Sequence, residues 1–167
     1  MAIVVEDGTG KATAESYISV TDADTYFLDR NVTAWDDLDY EEKEASLRRA
    51  TEYMTGAFRS RWRGSRVYAT VQALDWPRSG VCVDDRFIET DEIPVEVKRS
   101  CAELALRAST ADLMTDLSQG VVSESVGPIS VTYDKNSSRM VRYASVDAAL
   151  APYLSGSGGV MVSMVRA

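Results

Sequence analysis

The chain has 167 residues, 45% of them hydrophobic, and its 26 acids against 18 bases give a formal charge of −8. That length supports one respectable core, and no apolar run reaches the about 20 residues needed to cross a bilayer. Histidine is absent, which removes every Ser–His or Cys–His nucleophile pair and every histidine metal site. With Cys82 and Cys101 the only thiols, a structural zinc site is not expected either, and both are expected to be free, packed thiols rather than a bridge.

Residues 1–7 have neither the basic start nor the long apolar stretch of a secretory signal, so a cytosolic origin is expected. Residues 2–6 are β-branched and apolar, which suits a short strand or an arm. Gly8-Thr9-Gly10-Lys11 lacks the spacing of a phosphate-binding loop and has no apolar helix behind it, so it reads as a turn. Thr21, with Asp24 three residues on, opens a short helix through about Arg30. Trp35 follows in an acidic loop, either as an interface residue or as a lid on the core. The acid pairs Asp36-Asp37 and Asp84-Asp85 read as solvated surface.

Asp39 and Glu42 have the spacing of a capping box, and Leu47, Ala50, Met54, Ala57 and Phe58 then recur at helical spacing. This predicts a helix over residues 39–59, with Glu44 and Arg48 as an i,i+4 pair. A basic and aromatic run follows at the helix end: Arg59, Arg61, Trp62, Arg63 and Arg66, closed by Leu74-Asp75-Trp76-Pro77-Arg78. Residues 67–92 show no helical period, and Trp76-Pro77 fixes an extended or turn geometry with Trp76 as a buried anchor. Pro94 starts the longest helix, expected to end near Asp116, with Val97, Cys101, Leu104, Ala108 and Ala111 as its apolar stripe. The period then changes to two on both sides of Gly127-Pro128, which reads as a β-hairpin or a bent extended arm. A last short helix begins at Ser145-Val146-Asp147, with Pro152 limiting its regularity. A Gly/Ser tether leads to Val160, Met161, Val162, Met164 and Val165, an apolar tail suited to docking on a partner or adding a strand to one.

Charge is unevenly spread. Residues 1–47 carry a net −9, residues 48–78 a net +5 and residues 79–167 a net −4. A chain so polarised suits a part that meets a polyanion or the acidic face of its own copy. The expected fold is mainly α, a small helical bundle of about four helices with one β-hairpin and extended N- and C-terminal arms. No catalytic, cofactor or metal site is expected, and no enzymatic activity.

The ordered series Glu15-Ser16-Tyr17-Ile18-Ser19-Val20, Ala23-Asp24-Thr25-Tyr26-Phe27, Arg61-Trp62-Arg63-Gly64, Leu74-Asp75-Trp76-Pro77-Arg78 and Ile93-Pro94-Val95-Glu96-Val97-Lys98 resembles the head–tail adaptor proteins of long-tailed phages. Ser123-Glu124-Ser125-Val126-Gly127-Pro128 and Val146-Asp147-Ala148-Ala149-Leu150 are similar too. The resemblance covers about residues 14–155. Members of that family are often labelled DnaT-like single-stranded-DNA-binding proteins. The resemblance implies a virion protein of the head–tail neck, assembled in the host cytoplasm as a ring of usually twelve copies beneath the portal. Such a ring extends the DNA channel and carries the stopper and tail. It implies one helical adaptor domain over residues 1–155, with residues 156–167 as tether and portal-docking tail.

Two functions follow. As an adaptor, the chain would place Arg59, Arg61, Trp62, Arg63, Arg66 and Arg78 either against a neighbouring subunit or toward packaged double-stranded DNA, touching phosphates without reading sequence. As a single-stranded-DNA-binding module, it would stack bases on Trp62 and Tyr68 between those arginines.

Overall fold

A computed structural model of the chain describes residues 2–115, 121–125, 130–133 and 141–156. Its main elements are four α-helices: α1 (Val20–Leu28), α2 (Tyr40–Phe58), α3 (Val95–Thr110) and α4 (Ala144–Leu150). The two long helices, α2 and α3, pack on each other, and α1 and α4 lie against α3. Three small antiparallel ladders complete the described fold: β1 (Ser65–Arg66) with β2 (Arg78–Ser79), β3 (Cys82–Val83) with β4 (Arg86–Phe87), and β5 (Val121–Ser125) with β6 (Ser130–Tyr133). The last is the expected hairpin. The first two are two-residue strands, too short to show a period in sequence.

The helix starts follow from local chemistry. Asp39 accepts from Glu42 N at 2.8 Å while Glu42 Oε2 accepts from Asp39 N at 3.0 Å, the reciprocal capping box read in the sequence. For α1 the cap is Ser19 rather than Thr21: Asp22 N donates to Ser19 Oγ at 3.0 Å, and Ser19 Oγ donates to the Asp22 carboxylate at 2.8 Å. Asp24 is instead drawn away to Trp35 Nε1 at 2.7 Å and Lys43 Nζ at 3.0 Å. Trp35 is fully buried and stacks against Phe27 at 5.0 Å, so it is the lid on this end of the core.

Pro94 is the N-cap of α3, with ψ 142, not its first helical residue. The helix stops at Thr110, short of Asp116, and hydroxyls add bonds to its last carbonyls. Ser109 Oγ donates to Leu106 O at 2.8 Å and Thr110 Oγ1 to Arg107 O at 3.1 Å, and Ala111 is extended and exposed. The rest of the predicted stripe (Val97, Cys101, Leu104 and Ala108) is buried as expected. Pro152 falls in a 3-10 turn (Ala151–Tyr153) directly after α4, with Leu154 buried behind it.

A file of aromatic rings runs through the core from Tyr143 through Tyr53, Phe58, Trp62 and Trp76 to Tyr153, each centroid 5.4 to 6.3 Å from the next. Such edge and tilted contacts each add about 0.5–1.5 kcal/mol beyond area burial. Cys82 and Cys101 are both free. Cys101 is buried beside Thr51 Oγ1 at 3.4 Å, and burial raises its thiol pKa.

The N-terminal arm is tied back to the body. Glu6 N donates to Ser16 O at 2.9 Å, and Ile3 N to Glu44 Oε1 at 2.7 Å on α2. The Gly8–Gly10 turn does gather backbone N–H groups around an anion, but the anion is the chain's own. Glu6, 1% exposed, accepts from Gly8 N at 3.0 Å, Gly10 N at 2.9 Å and Lys11 N at 2.8 Å. That loop has no amide left for a phosphate. No helix among the described residues is long and apolar enough to cross a membrane.

Candidate functional site

The basic run begins where α2 ends. Arg61 N and Trp62 N both return to Phe58 O, at 2.8 and 3.1 Å, which turns the chain sharply and drives the Trp62 side chain inward. Trp62 is 5% exposed and lies between Phe58 and Trp76. The main chain of the run is then strapped to the end of the domain: Arg63 N donates to Tyr153 O at 2.9 Å and Ser155 N to Arg61 O at 2.6 Å.

The arginines turn largely onto the protein itself. Arg78, 7% exposed, donates through Nε to Arg63 O at 2.7 Å, through Nη2 to Gly64 O at 2.7 Å and through Nη1 to Asp75 O at 3.1 Å. Arg63 gives Nε to Leu154 O and Nη1 to Cys82 O, both at 3.2 Å. Arg61 lies over the Phe58 ring at 5.5 Å and pairs with Asp147 at 3.5 Å. Arg59 is open, with its side chain 55% exposed and Nε 3.9 Å from Asp75. The cluster thus uses guanidinium forks to close a loop, a task that needs no ligand.

At its centre is Asp75, 1% exposed, whose N–H donates to Tyr17 Oη at 3.0 Å. Neither carboxylate oxygen has a hydrogen-bond partner, and the same holds for Trp62 Nε1, Trp76 Nε1 and Arg66 Nε. The Trp62 indole N–H lies beside this carboxylate without reaching hydrogen-bond geometry. Burial raises the Asp75 pKa, opposed by the charges of Arg59, Arg78 and Arg66. Burial likewise lowers that of Arg78, against the pull of Asp75. In both groups desolvation outweighs attraction, as expected when two charges leave water without a direct bond between them.

The structure therefore brings all six predicted residues of the run into one region, but with Trp62 and Arg78 inside the protein. Trp76 is buried as predicted. Tyr68 is 48% exposed and borders the Gly10 turn. The tail residues Val160, Met161, Val162, Met164 and Val165 lie outside the described residues. Sequence reasoning missed Asp75 as a buried charge centre; its placement directly before Trp76 in an otherwise apolar anchor was the available signal. Among the described residues, no group of acids and cysteines is arranged to hold a metal ion.

The fold and the site define a small, mainly α-helical domain whose basic segment is locked to its own main chain. Residues 1–167 match the model of a family described as "Putative DnaT-like ssDNA binding protein", and the chain belongs to that family. No curated protein and no solved structure matches it significantly.

Proposed function

We propose that the chain is a non-enzymatic structural subunit, a head–tail adaptor that forms a ring beneath a phage portal and carries the DNA channel toward stopper and tail. The observation that carries this reading is the inward commitment of the basic run. A single-strand binder needs a groove of free cations and exposed rings on which bases stack. Here Trp62 and Trp76 are buried, and Arg63 and Arg78 hold carbonyls of the chain itself. What the run provides is a rigid domain, and a net charge of −8 suits a surface past which DNA slides without being held. The ordered resemblance along residues 14–155 supports the same reading.

Single-stranded-DNA binding is the second reading, favoured by the family's description and by the exposed Tyr68 and Arg59. Light scattering of the purified chain, alone and with a portal, together with a titration of single-stranded DNA at moderate salt, separates the two. An oligomer or portal complex with negligible DNA affinity is the adaptor's expected result. Tight, salt-sensitive DNA binding without portal association would replace it with the second reading.

A further inference from the structure

A groove of about 430 Å3 lies between α1, α3 and α4, lined among others by Tyr26, Arg30, Arg99, Ser100, Glu103 and Arg107. Its acids are already engaged. Glu103 accepts from Tyr26 Oη and from Arg107 Nη1, both at 3.0 Å, and Glu96 accepts from Tyr153 Oη at 2.6 Å. Its donors are not all engaged. Arg30 lies 3.7 Å above the Tyr26 ring and gives only Nη1 to Tyr26 O, at 2.9 Å. Arg99 is exposed, and its side chain has no hydrogen bond or ion pair among the described residues. Ser100 is 2% exposed, lines the same groove, and its Oγ has no partner. A buried hydroxyl without a partner beside two underused guanidinia describes a seat for carboxylates.

The chain also presents a matching knob. Asp36, Asp37 and Glu41 are exposed and have no ion pair among the described residues. Between them Tyr40 is 59% exposed at the first position of α2. Knob and groove occupy opposite flanks of α1. Asp24 reaches Trp35 and Lys43 on the knob side, while Tyr26, two residues on and so about 200° around the helix, reaches Glu103 on the groove side. Residues 84–92 are also acidic, but they lead directly into α3, the helix that carries Glu96 and Arg99, on the groove's own side.

We propose that the groove between α1, α3 and α4 receives the acidic start of α2 from a second copy of the chain, head to tail. Arg30 and Arg99 meet Asp36, Asp37 and Glu41, Tyr40 enters the groove, and Ser100 gains an acceptor. A contact between different faces of identical subunits is heterologous, and it closes into a ring when the rotation between copies permits. The proposal rests on the ring reading above and names the surfaces that would make it.

The test is a charge swap in the full chain, followed by light scattering and sedimentation at moderate salt, with circular dichroism to establish that each variant is folded. Arg99→Glu and Asp37→Arg should each weaken self-association by about tenfold or more, because each sets like charges against each other. The Arg99→Glu/Asp37→Arg double variant should recover it. A wild-type oligomer indifferent to both reversals, or a double variant no better than the singles, overturns the groove and leaves the ring reading standing. A wild-type chain that stays monomeric at every concentration overturns the groove contact, and it overturns the ring reading as well when the chain also fails to join a portal.

Discussion

Arg78 does in the interior what a guanidinium more often does on a phosphate: it presents a planar fork to converging oxygens. Its three carbonyl partners belong to Asp75, Arg63 and Gly64, so one side chain fixes both ends of the loop that contains β1 and β2. Arg78→Ala strands those acceptors, each at about 1–3 kcal/mol when buried. The expected loss is on the order of 3 kcal/mol, read as a lower urea midpoint with an unchanged slope. Arg78→Lys should recover only part of it, because an ammonium cannot serve three separated carbonyls from one plane. A lysine variant as stable as wild type would show that charge, not geometry, holds the loop. Asp75 calls for the opposite expectation. Its pKa is raised on folding, so its favourable contribution is fully present below about 3.8, the unfolded value, and is lost as pH rises through the folded value. Asp75→Asn should therefore match or exceed wild-type stability at pH 7, with the difference vanishing in acid. A clear destabilisation at pH 7 would mean that the surrounding arginines outweigh desolvation.

At the scale of elements, Gly64 shows why the run turns inward. Its φ is +66, and a Cβ there would lie 2.2 Å from Ser79 O and 2.9 Å from Val81 Cγ2. The clash is with main chain, so β1 and β2 would have to part. Gly64→Ala should cost about 2 kcal/mol or more, while Gly80→Ala, at φ +71 with nothing within 4 Å, should cost about 1 kcal/mol from backbone conformation alone. Equal losses in thermal unfolding would remove the close approach as a cause. The same contrast separates what was legible in the sequence from what was not. Helix α2 could be read because its capping box lies within four residues and its apolar stripe repeats at a fixed period. The hairpin could be read because alternation is likewise local. The clamp of Arg63 and Arg78 could not, since its partners are carbonyls of Leu154, Cys82 and Gly64, and main-chain oxygens leave no mark in a sequence. The basic run looked like a ligand surface because side-chain chemistry alone cannot distinguish a phosphate from a carbonyl. Gly8 and Gly10 could be read as a turn from their spacing alone, but not the return of Glu6 into its own loop, which no local pattern marks.

For the whole molecule, what matters is how much cationic surface is left once the fold has taken its share. Arg61, Arg63 and Arg78 are occupied, so reversing Arg61 and Arg63 should disturb the fold before it disturbs any partner. Of the run, Arg59 and Arg66 have most donor capacity left, which limits it to about two phosphates on a single strand. With a slope near −0.7 per neutralised phosphate, the logarithm of affinity should fall with the logarithm of salt no more steeply than about −1.5. Asp84 and Asp85, exposed just beyond the Cys82 carbonyl that Arg63 holds, reduce the starting affinity further, so binding at this segment should be weak even at low salt. Fluorescence anisotropy of a labelled oligonucleotide from low to moderate salt measures both quantities. A slope of about −4, lost on Arg59→Glu, would require the clamp to open and hand its guanidinia to the nucleic acid. That outcome would make the locked loop a closed state of a binding surface. A shallow slope insensitive to Arg59 leaves the basic run as the fold's own fastening and puts recognition on the remaining faces of the domain.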